Sequence, residues 1–273
     1  MANSDTNPTL SVAVAGATGW AGRAIAEGVL QAPDLNLVGA VARSTASKDL
    51  GQAWGVDSVG VTVAAQVDDA LADTDVLVDF TEPAAAKRHA LLAVHHGVHV
   101  VIGTSGLSAE DFDEIDHAAR AAGIGVVAAG NFSLTAAMAQ AGALLAARFL
   151  PQREIIDYAS AGKRDAPSGT ARELAERLAS VSMHECVVPV HETAGHPEAR
   201  GAQIAGTPVH SLRLPSFVVS TEVVFAQPDE RLSIRHDAGS SPAPYVAGTL
   251  LAIRAVRQIV GVVRGLDTLL LGR

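Results

Sequence analysis

Short apolar runs alternate with amphipathic stretches through the first half of the chain. Leu10-Ser-Val-Ala-Val-Ala15 is rich in valine and lacks polar alternation, as expected of a strand buried on both faces. It runs through closely spaced glycines into a helical stretch, Arg23 to Gln31. The strand pattern recurs at Leu35–Ala42, Val59–Val63, Asp75–Phe80, His99–Gly103 and Ile124–Ala129. Helical patterns occupy Ala84–His96, Ala109–Ala122 and Leu134–Leu150, and Ser108 with Asp111 resembles a capping box for the second of these. Strands alternating with helices predict an α/β fold with a Rossmann-like, doubly wound parallel sheet. Ligands of such sheets sit outside the carboxyl ends of the strands, so the turns at Gly16, Thr81, Thr104 and Asn131 are expected to line one rim.

Beyond Leu150 the texture changes. Strands are expected around Ile155, around Val187, and at His210–Leu214, Thr221–Phe225 and Leu232–His236, with a single helix, Thr170 to Leu178, among them. Consecutive strands predict a second α+β domain with a mixed or antiparallel sheet. Gly195–Gly206 reads as a loop. Tyr245–Val260 reads as a helix whose apolar face returns it to the first domain. The expected division is a dinucleotide-binding domain, residues 1–132 with 241–273, and a second domain, 133–240.

Composition agrees with this outline. The chain is 48 % apolar but only 4 % aromatic and holds 25 glycines, which suits an alanine- and valine-rich α/β protein. Its net charge is −9 with no basic cluster, which argues against nucleic acid as a partner. Cys186 is the sole cysteine; its setting, Glu185-Cys-Val-Val188, reads as packing, and a disulfide within the chain is excluded. Met1–Pro8 lacks the basic and apolar regions of a signal peptide, and no apolar run reaches bilayer length, so a soluble, cytoplasmic protein is expected. The histidines at 95, 96, 99, 184, 191 and 196 show no metal-ligand spacing, and no metal is expected.

Two stretches carry candidate chemistry. Gly16-Ala-Thr-Gly19-Trp-Ala-Gly22 follows a strand and opens a helix. Its G-x-x-G-x-x-G spacing differs from the usual dinucleotide fingerprint, but the physics is shared: glycines allow a tight turn and close approach of a pyrophosphate to the helix N-terminus. At the end of the second strand stand Arg43 and Ser44, where NAD-binding chains carry an acidic residue, which suits a 2′-phosphate and favours NADPH, with NADH possible. The other stretch, Arg153–Ala171, runs from a strand past Lys163 into Pro167-Ser168-Gly169-Thr170 at a helix start. Free amides, two hydroxyls and a lysine there make a socket for a carboxylate or phosphate; the alternative is an ordinary N-cap with Lys163 solvated.

With these residues in place the chain resembles the dihydrodipicolinate reductase family, over nearly its whole length. Val78-Asp-Phe-Thr-Glu-Pro83, Ile102-Gly-Thr-Ser-Gly106, Gly130-Asn-Phe-Ser133, Lys163–Ala171, Val209–Pro215 and Leu232–Asp237 are similar to family segments, in the family's order. The resemblance implies hydride transfer from a nicotinamide to a cyclic, unsaturated amino dicarboxylate, and a homotetramer built through the second domain. It implies cofactor contacts at Gly16, Thr18, Gly19, Trp20, Gly22, Arg43, Ser44, Phe80, Thr81, Gly103, Thr104, Asn131 and Phe132. Substrate contacts are implied at Thr104, Ser160, Lys163, Ser168, Gly169 and Thr170.

One part of the family signature is missing. Where it carries two histidines before the lysine, this chain has Ala159-Ser160. A placed acid or base is worth roughly 10²–10⁴ in rate, and neither residue can act as one. Lys163 remains as a catalytic candidate, with Tyr158 as a substitute proton donor on the same strand face as Ser160. The expectation is an NADPH-dependent reductase of a C=N bond in a small-molecule cyclic imine bearing a carboxylate or other polar anchor. The alternatives are an authentic 4-hydroxy-tetrahydrodipicolinate reductase of lysine biosynthesis and a catalytically silent NADPH-binding paralogue.

Overall fold

A computed structural model describes residues 9–272, which fall into two compact units: the chain up to Leu134 together with Pro242 onward, and Thr135–Ser241. The first unit contains β1 (Leu10–Ala15), α1 (Trp20–Gln31), β2 (Leu35–Val41), α2 (Leu50–Trp54), β3 (Val63–Ala64), β4 (Val76–Asp79), α3 (Pro83–His95), β5 (His99–Ile102), α4 (Ala109–Ala122) and β6 (Gly125–Ala128). The chain then enters the second unit with α5 (Leu134–Ala147), β7 (Arg153–Ala159), α6 (Gly169–Val181), β8 (Ala202–Ile204), β9 (Thr207–Arg213), β10 (Val219–Gln227) and β11 (Glu230–Ala238). It returns to the first with α7 (Ala243–Ala255), β12 (Gly261–Arg264) and α8 (Leu266–Leu271).

In the first unit seven strands form one sheet, in the order β12-β6-β5-β4-β1-β2-β3, and every pairing is parallel. β4 and β6 are buried at every position, as expected when helices cover both faces of a parallel sheet. Successive strands step away from β1 to β3, then resume on its other side with β4. The order therefore reverses between β1 and β4, the place where such sheets open a ligand crevice.

The second unit holds a five-stranded mixed sheet, β11-β10-β7-β9-β8, in which only β7 and β9 run parallel. Along β7, buried and half-buried residues alternate. Ile155 packs with Ala143, Ala147, Leu174, Leu178 and Phe225 in the core under the helices, while Glu154, Ile156 and Tyr158 stand on the other face.

Four expected elements differ. Of Val59–Val63 only the last residue joins a strand, because the Asp49 carboxylate gathers the amides of Gly51, Val59 and Gly60 and the Ser58 hydroxyl, holding the segment as a loop. No strand forms around Val187: the segment lines a cavity with Ile156, Leu212 and Val224 of the second sheet instead of pairing with it. Cys186 is consequently exposed instead of packed. The loop expected at Gly195–Gly206 contains β8, turned into β9 through Ala205 and Gly206, whose φ values of 46° and 80° make the tight turn that matches strand twist. The last helix also ends early, at Ala255, and β12 then adds to the sheet beside β6.

Helix α7 lies against the turn that follows β6. A Cβ on Gly248 would come 2.0 Å from the Phe132 carbonyl oxygen and 2.7 Å from a Leu266 methyl. Backbone cannot yield as a flexible side chain can, so Gly248→Ala is expected to cost roughly 1–3 kcal/mol. In thermal denaturation that should appear as a midpoint lower by roughly 3–10 °C.

Candidate active site

Gly16 ends β1 with φ +81°, and a Cβ there would meet the Phe80 carbonyl oxygen at 2.4 Å; one on Gly22 would meet the Gly16 carbonyl oxygen at 2.1 Å. These contacts leave glycine as the residue that fits. Gly19 is the N-cap of α1 and offers no side chain to its first turn, so the opening amides of α1 are left for an outside acceptor. Beside them lies a cavity of about 520 Å³ lined by Gly16, Thr18, Gly19, Arg43, Ser44 and Thr81, among others. A second, of about 340 Å³, is lined by Trp20, Phe80, Thr81, Gly103, Thr104, Asn131 and Phe132. The expected cofactor residues thus collect at the carboxyl ends of β1, β2, β4, β5 and β6, with Gly22 beneath the first turn.

Sequence reasoning missed others on this rim. Arg88 and His89 line the larger cavity, one turn beyond Ala85 on the same face of α3, a spacing that was legible. Tyr245, whose ring meets Trp20 edge-on at 5.8 Å, comes from α7 and gave no signal at all.

The rim is tied together from below by Asp79, the last residue of β4, which is completely buried. Its Oδ1 accepts from the Thr81 amide at 3.0 Å, the Thr81 hydroxyl at 2.6 Å and the Thr104 hydroxyl at 2.9 Å. Its Oδ2 lies 2.7 Å from Nδ1 of His89. A carboxylate only accepts, which places the His89 proton on Nδ1. Thr104 was expected to hold ligand, but its hydroxyl donates to Asp79 and accepts from the Thr81 amide at 2.8 Å. Its hydroxyl proton is therefore committed to Asp79.

In the second unit, the turn into α6 is built on Asp157, also completely buried. Ser168 donates its amide to Asp157 Oδ2 at 2.8 Å and its hydroxyl to Oδ1 at 2.7 Å, while that hydroxyl accepts from the Ala171 amide at 3.3 Å. The N-cap reading is therefore the one that holds for the Ser168 side chain, and an anion would meet the backbone of Gly169 with Thr170. Lys163 is partly exposed and pairs with Asp165 at 2.9 Å. Burial pushes the Asp165 carboxyl up, but the Lys163 ammonium, with the Asp165 backbone amide and the Arg213 guanidinium, more than offsets it and holds the group below its usual range. Ser160 is exposed one residue past β7. Among the described residues no group of three or more His, Cys, Asp or Glu side chains is arranged to hold a metal ion, and no helix is long and apolar enough to cross a membrane.

Comparison with known proteins places these features. The family models described as dihydrodipicolinate reductase, N-terminus, and dihydrodipicolinate reductase, C-terminus, match residues 10–132 and 130–270. The chain belongs to the dihydrodipicolinate reductase family. It is 42 % identical over 264 residues to the 4-hydroxy-tetrahydrodipicolinate reductase of Moorella thermoacetica, covering 96 % of this chain and 98 % of that one. The reductase of the same name from Thermosynechococcus vestitus is 37 % identical over 268 residues, covering 96 % and 97 %. Among solved structures, dipicolinate-bound dihydrodipicolinate reductase from Paenisporosarcina sp. TG-14 superposes with a TM-score of 0.76 at 29 % identity, over 95 % of this chain and 99 % of that chain. An amine dehydrogenase from Mycobacterium smegmatis shares the fold, with a TM-score of 0.65 at 17 % identity over 96 % of each chain.

As a member of the dihydrodipicolinate reductase family the protein is an oxidoreductase. Where the resemblance implies a histidine pair, the chain has Ala159, wholly buried on the inner face of β7, and Ser160. Tyr158 does not stand in for them. Strand alternation puts it on the face opposite Asp157 and Ser168, where its hydroxyl donates to Glu222 at 3.0 Å and its ring packs on Phe217. Burial, then the Glu222 carboxylate, push its phenol above the usual value. That leaves Lys163 as the donor-bearing candidate.

Replacing Asp79 by Asn would set an amide N–H₂ against a donor from Thr81, Thr104 or His89. An unsatisfied buried donor costs roughly 1–3 kcal/mol. Asp79→Asn is therefore expected to melt earlier and to lose nicotinamide-dinucleotide affinity, read from the fluorescence of Trp20 and Trp54 during titration.

Proposed function

We propose that this protein is a 4-hydroxy-tetrahydrodipicolinate reductase that uses NADPH in preference to NADH. The observation that carries the reading is the end-to-end relation to reductases of that name together with an intact Lys163–Thr170 turn. It takes precedence over the C=N reductase of another substrate expected from the sequence. The specific observation favouring that second reading is Ala159-Ser160 in place of the histidines.

The residues present fit a dinucleotide. Gly16 and Gly22 form a cradle that a Cβ would fill, the amides of α1 open onto it, and Arg43 and Arg88 line the same cavity beyond. Arg43 reaches Glu82 at 3.5 Å, and Arg88 has no ion-pair partner among the described residues. Two guanidinium groups at that end support recognition of a 2′-phosphate. A bound nicotinamide supplies the hydride. In the second unit, Gly169 and Thr170 at the start of α6 would hold a substrate carboxylate, and Lys163 would supply the proton that reduction also requires. The half-buried apolar residues Ile156, Leu212 and Val224 on the helix-free face of the second sheet support a homotetramer; a monomeric mass on sedimentation would contradict that part. A cytoplasmic location belongs to the same reading.

The test is the oxidation rate of NADPH and of NADH with 4-hydroxy-tetrahydrodipicolinate and, in parallel, with cyclic imine carboxylates. Turnover of the first substrate, faster with NADPH, is expected. Turnover confined to imines would establish the second reading, and cofactor binding without turnover of either would mark a silent paralogue. Arg88→Ala should raise KM for NADPH several-fold while leaving that for NADH nearly unchanged. Equal effects on both cofactors would remove the 2′-phosphate role.

A further inference from the structure

Beneath the Lys163–Thr170 turn lies an ion pair between a fully buried carboxylate and a guanidinium that is 17 % exposed. Asp157 is fully buried, and Arg213 Nη2 donates to its Oδ2 at 2.8 Å. Parallel pairing of β7 and β9 sets Asp157 opposite Ser211 and Ala159 opposite Arg213, so the guanidinium reaches back along the strand to the carboxylate. The Ser211 hydroxyl adds a fourth donor at 3.2 Å, beside the amide and hydroxyl of Ser168.

The same Arg213 Nη2 also donates to the backbone carbonyl of Asp165 at 2.7 Å, and Nη1 donates to the carbonyls of Leu212 and Asp157. One ion pair therefore ties the turn at two points. Asp157 fixes Ser168, the N-cap of α6. Arg213 fixes Asp165, whose carboxylate in turn holds Lys163. A buried carboxylate directly behind an anion socket would repel the anion; paired with Arg213 it is neutralised and spends its lone pairs on geometry.

We propose that Asp157 and Arg213 are positioning residues that hold the turn in its carboxylate-receiving shape and so set substrate affinity more than the chemical step. The inference rests on the reading of that turn as the substrate socket. It also assigns a structural task to a stretch that lacks the family's histidines, where the shape of the loop depends on this clamp.

The test compares wild type, Arg213→Met, Arg213→Lys and Asp157→Asn by calorimetric binding of dipicolinate in the presence of cofactor, by KM and kcat, and by thermal melting. Dipicolinate is the dicarboxylate bound in the Paenisporosarcina relative. Arg213→Met is expected to weaken dipicolinate and raise KM about tenfold or more, the size of one lost charge-assisted hydrogen bond, with kcat within about threefold. Lysine carries the charge but lacks the second nitrogen that donates to the Leu212 and Asp157 carbonyls, so Arg213→Lys should fall between. If Arg213→Met does not fold, the lysine variant carries the comparison. A folded variant that binds dipicolinate as wild type does would overturn the proposal, as would a fall in kcat alone. If wild type ignores dipicolinate but reduces another substrate, the substrate reading fails while the clamp is still decided through KM for that substrate. If it neither binds nor turns over any of them, both fail.

Discussion

A carboxylate buried without solvent must be given donors, and in each unit of this protein that requirement organises the site. Asp79 ends β4 and Asp157 lies two residues before the end of β7; both are wholly buried. Each takes its donors from several elements: the turn residues Thr81 and Thr104 with His89 of α3 for the first, the α6 N-cap Ser168 with Ser211 and Arg213 of β9 for the second. Leaving such a group unpaired costs several kcal/mol, so the loops are drawn to the carboxylate and not the reverse. Functional loops on sheet edges are usually the mobile part of a fold; here their roots are anchored in the least accessible charges.

This arrangement separates two tasks that residue identity alone conflates. Thr104 and Ser168 carry hydroxyls in motifs associated with ligand binding, yet both hydroxyls face inward and support backbone. The surfaces left for ligands are backbone amides, glycine-lined turns and a few exposed cations: Arg43, Arg88 and Lys163. Such a surface suits anionic groups, phosphate or carboxylate, recognised by charge and geometry.

The absence of the histidine pair fits the same frame. Position 159 points into the core of the second unit, where an alanine sits at no cost, and position 160 is open to water. Tyr158, the neighbouring residue with a transferable proton, lies on the wrong face of the sheet and is held by Glu222. Under the proposed function, Lys163 is the proton-donor candidate for reasons of direction, not of residue chemistry.

Much of this was legible from the chain alone because its signals are local. Valine runs mark strands covered on both faces, glycines mark where a Cβ would strike a carbonyl, and Ser108 with Asp111 caps α4 as its spacing implies. These depend on residues a few positions apart. What only the tertiary structure decided depends on partners far along the chain. β12 pairs with β6 at the edge of the sheet, and Tyr245 meets Trp20 across most of the sequence. Which way the Thr104 and Ser168 hydroxyls point was likewise decided by partners outside their own turns, the carboxylates of Asp79 and Asp157.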